Sequence, residues 1–259
     1  MTLYLFSILA ALAMPTGSDK TYKPPLAFSL FQSPEQDAAF KRLEKTKEYV
    51  ASRAHGDSFT MRQYQLLEEA LKQACCKEKS LKLQDIELIC TAIEFATEKH
   101  KGQTRKNKAK TPYISHLFGV TYYVVKIGQV RDPQAIQAAL LHDVVEDTGV
   151  TLEEVQGQFG ASVAGYVAEL TDDPSLPALE SKHRQVALAP KTSLEATQIK
   201  LADSLYNLRD LSGHVPEGWS QERVDAYFEW TQAKVDRLPS VHGELHAAVK
   251  TEIDKHWMR

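Results

Sequence analysis

The chain has 259 residues, 43% of them hydrophobic, and a formal net charge of −3. That length supports one substantial core, and the slightly acidic balance argues against a general nucleic-acid binder, which is usually basic. Its cysteines, Cys75, Cys76 and Cys90, are odd in number and lack metal-ligand spacing, which argues against zinc held through sulfur and for reduced thiols.

The chain opens on "LYLFSILAALAM", an apolar run of about a dozen residues, short of the roughly 20 that span a bilayer. Stable membrane insertion is therefore not expected. The run resembles the centre of a secretory signal, with Ala11-Leu12-Ala13 as a cleavage site, yet no Lys or Arg precedes it. A cytoplasmic protein is expected, with export as the minor alternative. Residues 15 to 37 are rich in Pro, Ser and Gly and read as a linker, so residues 1 to 37 form an apolar segment and its tether. Residues 38 to 82 turn helical, as in "MRQYQLLEEALKQACCKEK", where Leu66, Leu67, Ala70 and Leu71 repeat every three or four positions. This part reads as an accessory helical extension without recognisable chemistry.

From residue 83 to 259 helical patterns follow one another with short breaks. "DIELICTAIEFATEKH" carries apolar residues at 86, 89, 93 and 96, with Asp85 placed to cap it. "ISHLFGVTYYVVKIG" comes next, then "PQAIQAALLHDVVED", entered at Pro133. "TLEEVQGQFG" has Thr151 as its cap, and "ASVAGYVAELTDD" follows. Further helices are predicted over about 193–212, 220–238 and 241–256. Alternating strand patterns are absent, so the fold class is all-α.

One stretch carries unusual charge. At about 100° per residue, His142, Asp143, Glu146 and Asp147 share an arc of roughly 140° on one continuous helix, opposite Leu140, Leu141, Val144 and Val145. Three carboxylates so close raise one another's pKa, and a bound cation removes that penalty. Imidazole with carboxylate suits manganese, iron(II) or zinc better than calcium. Taken alone, such a cluster is more often a solvated helix face.

Three further features add weight. "TPYISH" sets His116 in the first turn of a helix, where a histidine is ordinarily a cap or half-exposed. In "IKLADSLYNLRDL", Leu201, Leu205 and Leu208 share one face, while Asp203, Asn207 and Asp210 share the other with Ile199 and Tyr206. By itself that is an amphipathic helix with a wet side. "KHKGQTRKNKAK" holds six Lys or Arg residues, and no acidic residue occurs from Lys99 to Arg131. A basic flap beside a carboxylate cluster suits a polyphosphate, although alone it is a lysine-rich loop.

In that order, "RK…TPYISH", "ALLHDVVEDT", "KLADSLYNLRDL" and "PEGWS…RV…YFEW" resemble the HD hydrolase domain of the RelA/SpoT family over about residues 83 to 240. The small stand-alone metazoan members are the most similar. The resemblance implies an all-α HD-domain bundle, here with an N-terminal helical extension, holding one Mn2+ ion. Its ligands would be His116, His142, Asp143 and Asp203. Glu146 and Asp147 would orient and deprotonate the attacking water, and Arg105 and Lys106 would hold phosphates. Asn207 would contact the sugar or base region, and Arg223 and Tyr227 would close around the nucleotide. The implied reaction removes the 3′-diphosphate from guanosine 3′,5′-bis(diphosphate), ppGpp, giving GDP and pyrophosphate. Too few residues follow the domain for the synthetase of long members, so a hydrolase alone is expected.

An NADPH 2′-phosphatase, or a broader nucleotide phosphohydrolase on the same centre, is the alternative enzyme. Ala178 stands where some animal relatives carry a basic residue, which weakens the NADPH case. A non-catalytic nucleotide sensor is the alternative of another class, and the complete acid set argues against it. Nucleic-acid binding is disfavoured, because no groove-reading helix or stacking aromatics accompany the basic run. Oligomeric state is not fixed by sequence.

Overall fold

Local chemistry decides where the helices begin. The computed structural model describes residues 33–76, 81–241 and 243–258; the apolar run and most of the expected linker lie outside them. Helix α1 (Pro34–Arg53) starts inside the stretch read as linker. Pro34 is its first residue, where a fixed φ and a missing N–H suit the opening turn. His55 and Gly56, both at positive φ, reverse the chain. Asp57 then accepts the Thr60 N–H at 2.7 Å and opens α2 (Ser58–Ala74).

Helices α3 (Asp85–Lys99) and α4 (Ile114–Lys126) share one apolar cluster with Leu43 and Val50 of α1 and Leu67 and Leu71 of α2. Tyr64 donates to the Leu43 carbonyl at 2.7 Å and meets Phe118 edge-on at 5.5 Å. Arg42 reaches across from α1 to Glu87 and Glu94 of α3. Asp85 caps no helix; as the first residue of α3 it accepts the Lys82 N–H at 3.1 Å.

Helix α4 is buried on almost every side, as its nearly uncharged sequence requires. It packs against α2, α5 (Pro133–Leu141) and α10 (Leu194–Gly213). The single helix expected through residues 142 to 147 is in fact two. α5 ends at Leu141, and α6 runs from Val144 to Thr148. His142 Nδ1 donates to the Ala139 carbonyl at 2.8 Å, so a side chain competes for an acceptor of the last turn. Gly149, at φ 75°, closes α6 in the left-handed conformation.

Thr151 opens α7 (Leu152–Phe159) by accepting the Glu154 N–H, and α8 (Ala161–Leu170) follows. Helix α9 (Ala178–Leu188) has no counterpart in the sequence reading, and none of its residues is buried. Ser220 caps α11 (Gln221–Val235), and α12 (Glu244–Trp257) ends the described chain's helices. Helix α10 is the central strut, touching α4, α5, α8, α11 and α12. Its expected wet side is largely covered, and Ile199 and Tyr206 on it are buried.

The all-α expectation holds: among the described residues there are helices, no strand, and one isolated bridge between Thr104 and Pro112 that closes the basic loop. Among them, too, no helix is long and apolar enough to cross a membrane. Cys75, Cys76 and Cys90 are free thiols.

Candidate active site

Three separate elements deliver the charged groups to one point. The first turn of α4 brings His116, the step between α5 and α6 brings His142 and Asp143, and the middle of α10 brings Asp203. Asp143 Oδ2 lies 3.2 Å from His142 Nε2 and 3.5 Å from His116 Nε2. Asp203 Oδ1 lies 3.3 Å and 3.9 Å from the same nitrogens, His116 first. Bonds of about 2.1 Å around a tetrahedral or octahedral ion set neighbouring donors about 3.0–3.4 Å apart. His116, His142 and Asp143 lie close enough together to hold one divalent cation, and Asp203 approaches both imidazoles. The tautomer fits as well. The Nδ1–H of His142 is spent on Ala139, which turns the Nε2 lone pair inward, and that Nε2 is buried without a hydrogen-bond partner.

Electrostatics agree with the geometry. Burial raises the pKa of Asp143 and Asp203, yet the imidazoles beside them hold Asp143 well below the usual carboxylate range and lower Asp203 as well. Burial likewise disfavours charge on His116, but the two carboxylates lift its pKa. Two anions are thus held ionised in a buried place, which a cation stabilises.

A second layer fixes these side chains. Tyr113 donates to Asp143 Oδ2 at 2.7 Å. His100 stacks on the Tyr113 ring at 5.1 Å and shares a 2.7 Å contact with Gln103, which in turn donates to the Asp147 carbonyl at 2.7 Å. Asn207 Nδ2 donates to Asp203 Oδ1 at 2.7 Å. Its Oδ1 accepts from Arg105, whose guanidinium also pairs with Asp210 at 2.8 Å. Tyr206 meets the His116 ring edge-on at 5.0 Å.

The methyl of an alanine at Gly119 would overlap that Tyr206 ring, so α4 and α10 approach too closely for any side chain there. Gly119→Ala is expected to lower stability by about 1–3 kcal/mol, the range for overpacking. Displacing Tyr206 from His116 should also weaken cation binding. Urea unfolding together with metal titration checks both.

Glu146 and Asp147 sit on α6 beside the centre. Glu146 Oε2 accepts the Asp172 N–H at 3.1 Å. Burial, outweighing that bond, raises the Glu146 pKa, with the charges of Asp172 and Asp143 adding to it. Burial and Asp143 raise Asp147. Both carboxyls therefore hold a proton more readily than an ordinary acid, as a group that accepts one during a reaction must.

The centre opens into a cleft of about 560 Å3, lined by Arg105, Lys106, Asn207, Trp219 and Tyr227 among others. Lys106 is exposed there and has no ion pair among the described residues. Arg223 does not line the cleft; its guanidinium lies 4.2 Å over the Trp219 ring, which does. Behind Asp143 and Glu146, which line both spaces, a narrower arm of about 120 Å3 reaches Asp172, Gln185, Lys200 and Lys234. Sequence reading left Tyr113, His100 and Gln103 without a role, although all three lie in motifs it quoted. It also left out Trp219, Lys200 and Lys234.

The HD domain family model matches residues 92–228, just over half of the chain. The guanosine-3′,5′-bis(diphosphate) 3′-pyrophosphohydrolase MESH1 of Xenopus tropicalis is 50% identical over 161 residues, 62% of this chain and 90% of the relative. The human protein of the same name is 49% identical over 162 residues, with the same coverage. A solved structure, described as a metazoan ortholog of SpoT that hydrolyzes ppGpp, superposes with a TM-score of 0.64 at 40% identity. It covers 66% of this chain and 96% of its own.

Proposed function

This chain belongs to the HD-domain family, and from that premise we propose that it removes the 3′-diphosphate of ppGpp, with Mn2+ as its cation, leaving GDP and pyrophosphate. One observation carries the reading. His116, His142, Asp143 and Asp203 converge with imidazole–carboxylate separations of 3.2 to 3.9 Å, beside two carboxyls of raised pKa and a cleft with a basic wall. The relatives named above point to the same substrate.

Bound among these four side chains, the cation would supply Lewis acidity toward phosphoryl oxygens and a lowered pKa for water. The chain's own groups do the rest. Water adds to the phosphorus nearest the ribose, the bond from that phosphorus to O3′ breaks, and a proton ends on O3′. Glu146 takes the proton from the attacking water. Asp147, held through its carbonyl by Gln103, orients that water. Lys106 reaches the 5′-phosphates from the rim. Arg105 anchors the same loop through Asp210 and adds its charge to that wall. Asn207 steadies Asp203 on its inner side and faces the sugar on the other. Trp219 and Tyr227 give the base aromatic faces, and Arg223 stiffens that wall by stacking on Trp219.

NADPH is the comparison that tests this choice, since Ala178, exposed at the start of α9, offers a phosphate no charge. With Mn2+ present, kcat/KM is expected to be higher for ppGpp than for NADPH, with GDP and pyrophosphate as the products resolved by anion exchange. A preference for NADPH overturns the substrate. Tight nucleotide binding without turnover under any divalent metal overturns the enzyme and leaves a sensor.

A further inference from the structure

The arm behind Asp143 and Glu146 holds charges that the chemistry above does not use. Lys234, near the end of α11, is only 4% exposed, and burying an ammonium is expensive unless something compensates it. No carboxylate lies within ion-pair distance of it among the described residues. Its close contact is the Trp230 ring, 4.3 Å from Nζ. Lys182, from α9, stands 4.9 Å from the same ring, and Lys200 of α10 lines the arm with Lys234. Two cations from two helices, Lys234 and Lys200, thus line a space whose remaining charged wall is Asp143, Glu146, Asp172 and Asp203, with His142 among them.

Size limits the occupant, and the buried ammonium of Lys234 supplies the charge that favours an anion. At about 120 Å3 the arm has room for roughly four waters, too little for a nucleoside and enough for a phosphoryl group. A 3′-diphosphate whose inner phosphorus reacts at the centre must place its outer phosphate on one side or the other. The wide cleft already has Lys106 for the distant 5′-phosphates. Burial pushes the Lys234 ammonium down to about 8, although the charges of Asp203 and Asp172 favour its protonated form. The carboxylates nearby do not pair with it closely, and the last turn of a helix alone gives a cation modest support.

We propose that Lys234 determines specificity for the departing diphosphate, gripping its outer phosphate in this arm. The inference rests on the pyrophosphohydrolase reading above. Lys234 is a substrate-binding residue in this account, distinct from the centre that cleaves the bond.

The test uses the Mn2+-saturated full chain and its Lys234→Met and Lys234→Arg variants, with inorganic pyrophosphate and GDP titrated separately by calorimetry. Losing one charge-assisted hydrogen bond should weaken pyrophosphate binding about tenfold or more in Lys234→Met. Arginine should restore most of it, and GDP affinity should stay unchanged in both variants. If Lys234→Met fails to fold, Lys234→Gln takes its place. Unchanged pyrophosphate affinity, an equal loss for GDP, or no pyrophosphate binding by the wild-type chain each overturns the proposal. Turnover of ppGpp by the wild-type chain, measured alongside, separates the two ideas. Turnover with unaltered pyrophosphate affinity sinks this inference alone. Selective loss of pyrophosphate affinity without any ppGpp turnover sinks the reading of the substrate and leaves the arm as a pyrophosphate site.

Discussion

An Asp143→Ala protein is expected to emerge from purification without its cation and without detectable turnover. Asp143 is the hub of the centre: its Oδ2 faces both imidazoles and accepts the Tyr113 hydroxyl. Alanine removes one of two anionic ligands, leaving a site that must hold a divalent ion with a single carboxylate and two neutral rings. It also strands the Tyr113 hydroxyl, at a cost of about 1–3 kcal/mol for a buried donor. Elemental analysis should find about one ion per wild-type chain and almost none in the variant. Thermal unfolding gives a readout independent of activity, because a ligand that binds only the folded chain stabilises it. Chelator should lower the wild-type Tm and leave the variant's unmoved. A variant that keeps its ion, or that still responds to chelator, would remove Asp143 from the ligand set.

The four converging side chains are legible in the sequence because each sits in a short motif with its own local reason for structure. Pro112 and Ile114 set the helix start that presents His116, and the apolar run before His142 anchors its helix in the core. Asp203 lies on a helix whose leucines fix its rotation. What spacing alone misplaces is the backbone between them. A constant angle per residue carries the arc from His142 to Asp147 straight through, whereas the imidazole bonds back to Ala139 and the helix stops and restarts. Helix α9 escapes notice for a different reason: none of its residues is buried, so no core demands an apolar face from it. Lys234 is hidden because a lysine near a helix end looks solvated in sequence, and only the packing of α9, α10 and α11 makes it interior. Residues that depend on a neighbour distant in the chain are the ones sequence reasoning loses.

Changing Glu146 to Gln should do the opposite of the Asp143 change: keep the ion and stop the reaction. The Glu146 carboxylate is absent from the four converging donors, so its loss takes nothing from the ligand set. A glutamine carbonyl can still accept the Asp172 N–H, which keeps the side chain in place. Its amide cannot take a proton from water. Losing a positioned general base lowers kcat by roughly 10²–10⁴-fold. KM should change little, because Lys106, Tyr227 and the rest of the cleft wall are untouched. Asp147→Asn makes the informative comparison. If Asp147 only orients the water, its amide variant retains more activity than Glu146→Gln; if the order reverses, the proton acceptor is Asp147. Metal content and kcat measured on both variants decide the assignment. A Glu146→Gln enzyme with near wild-type kcat removes Glu146 from the chemistry altogether.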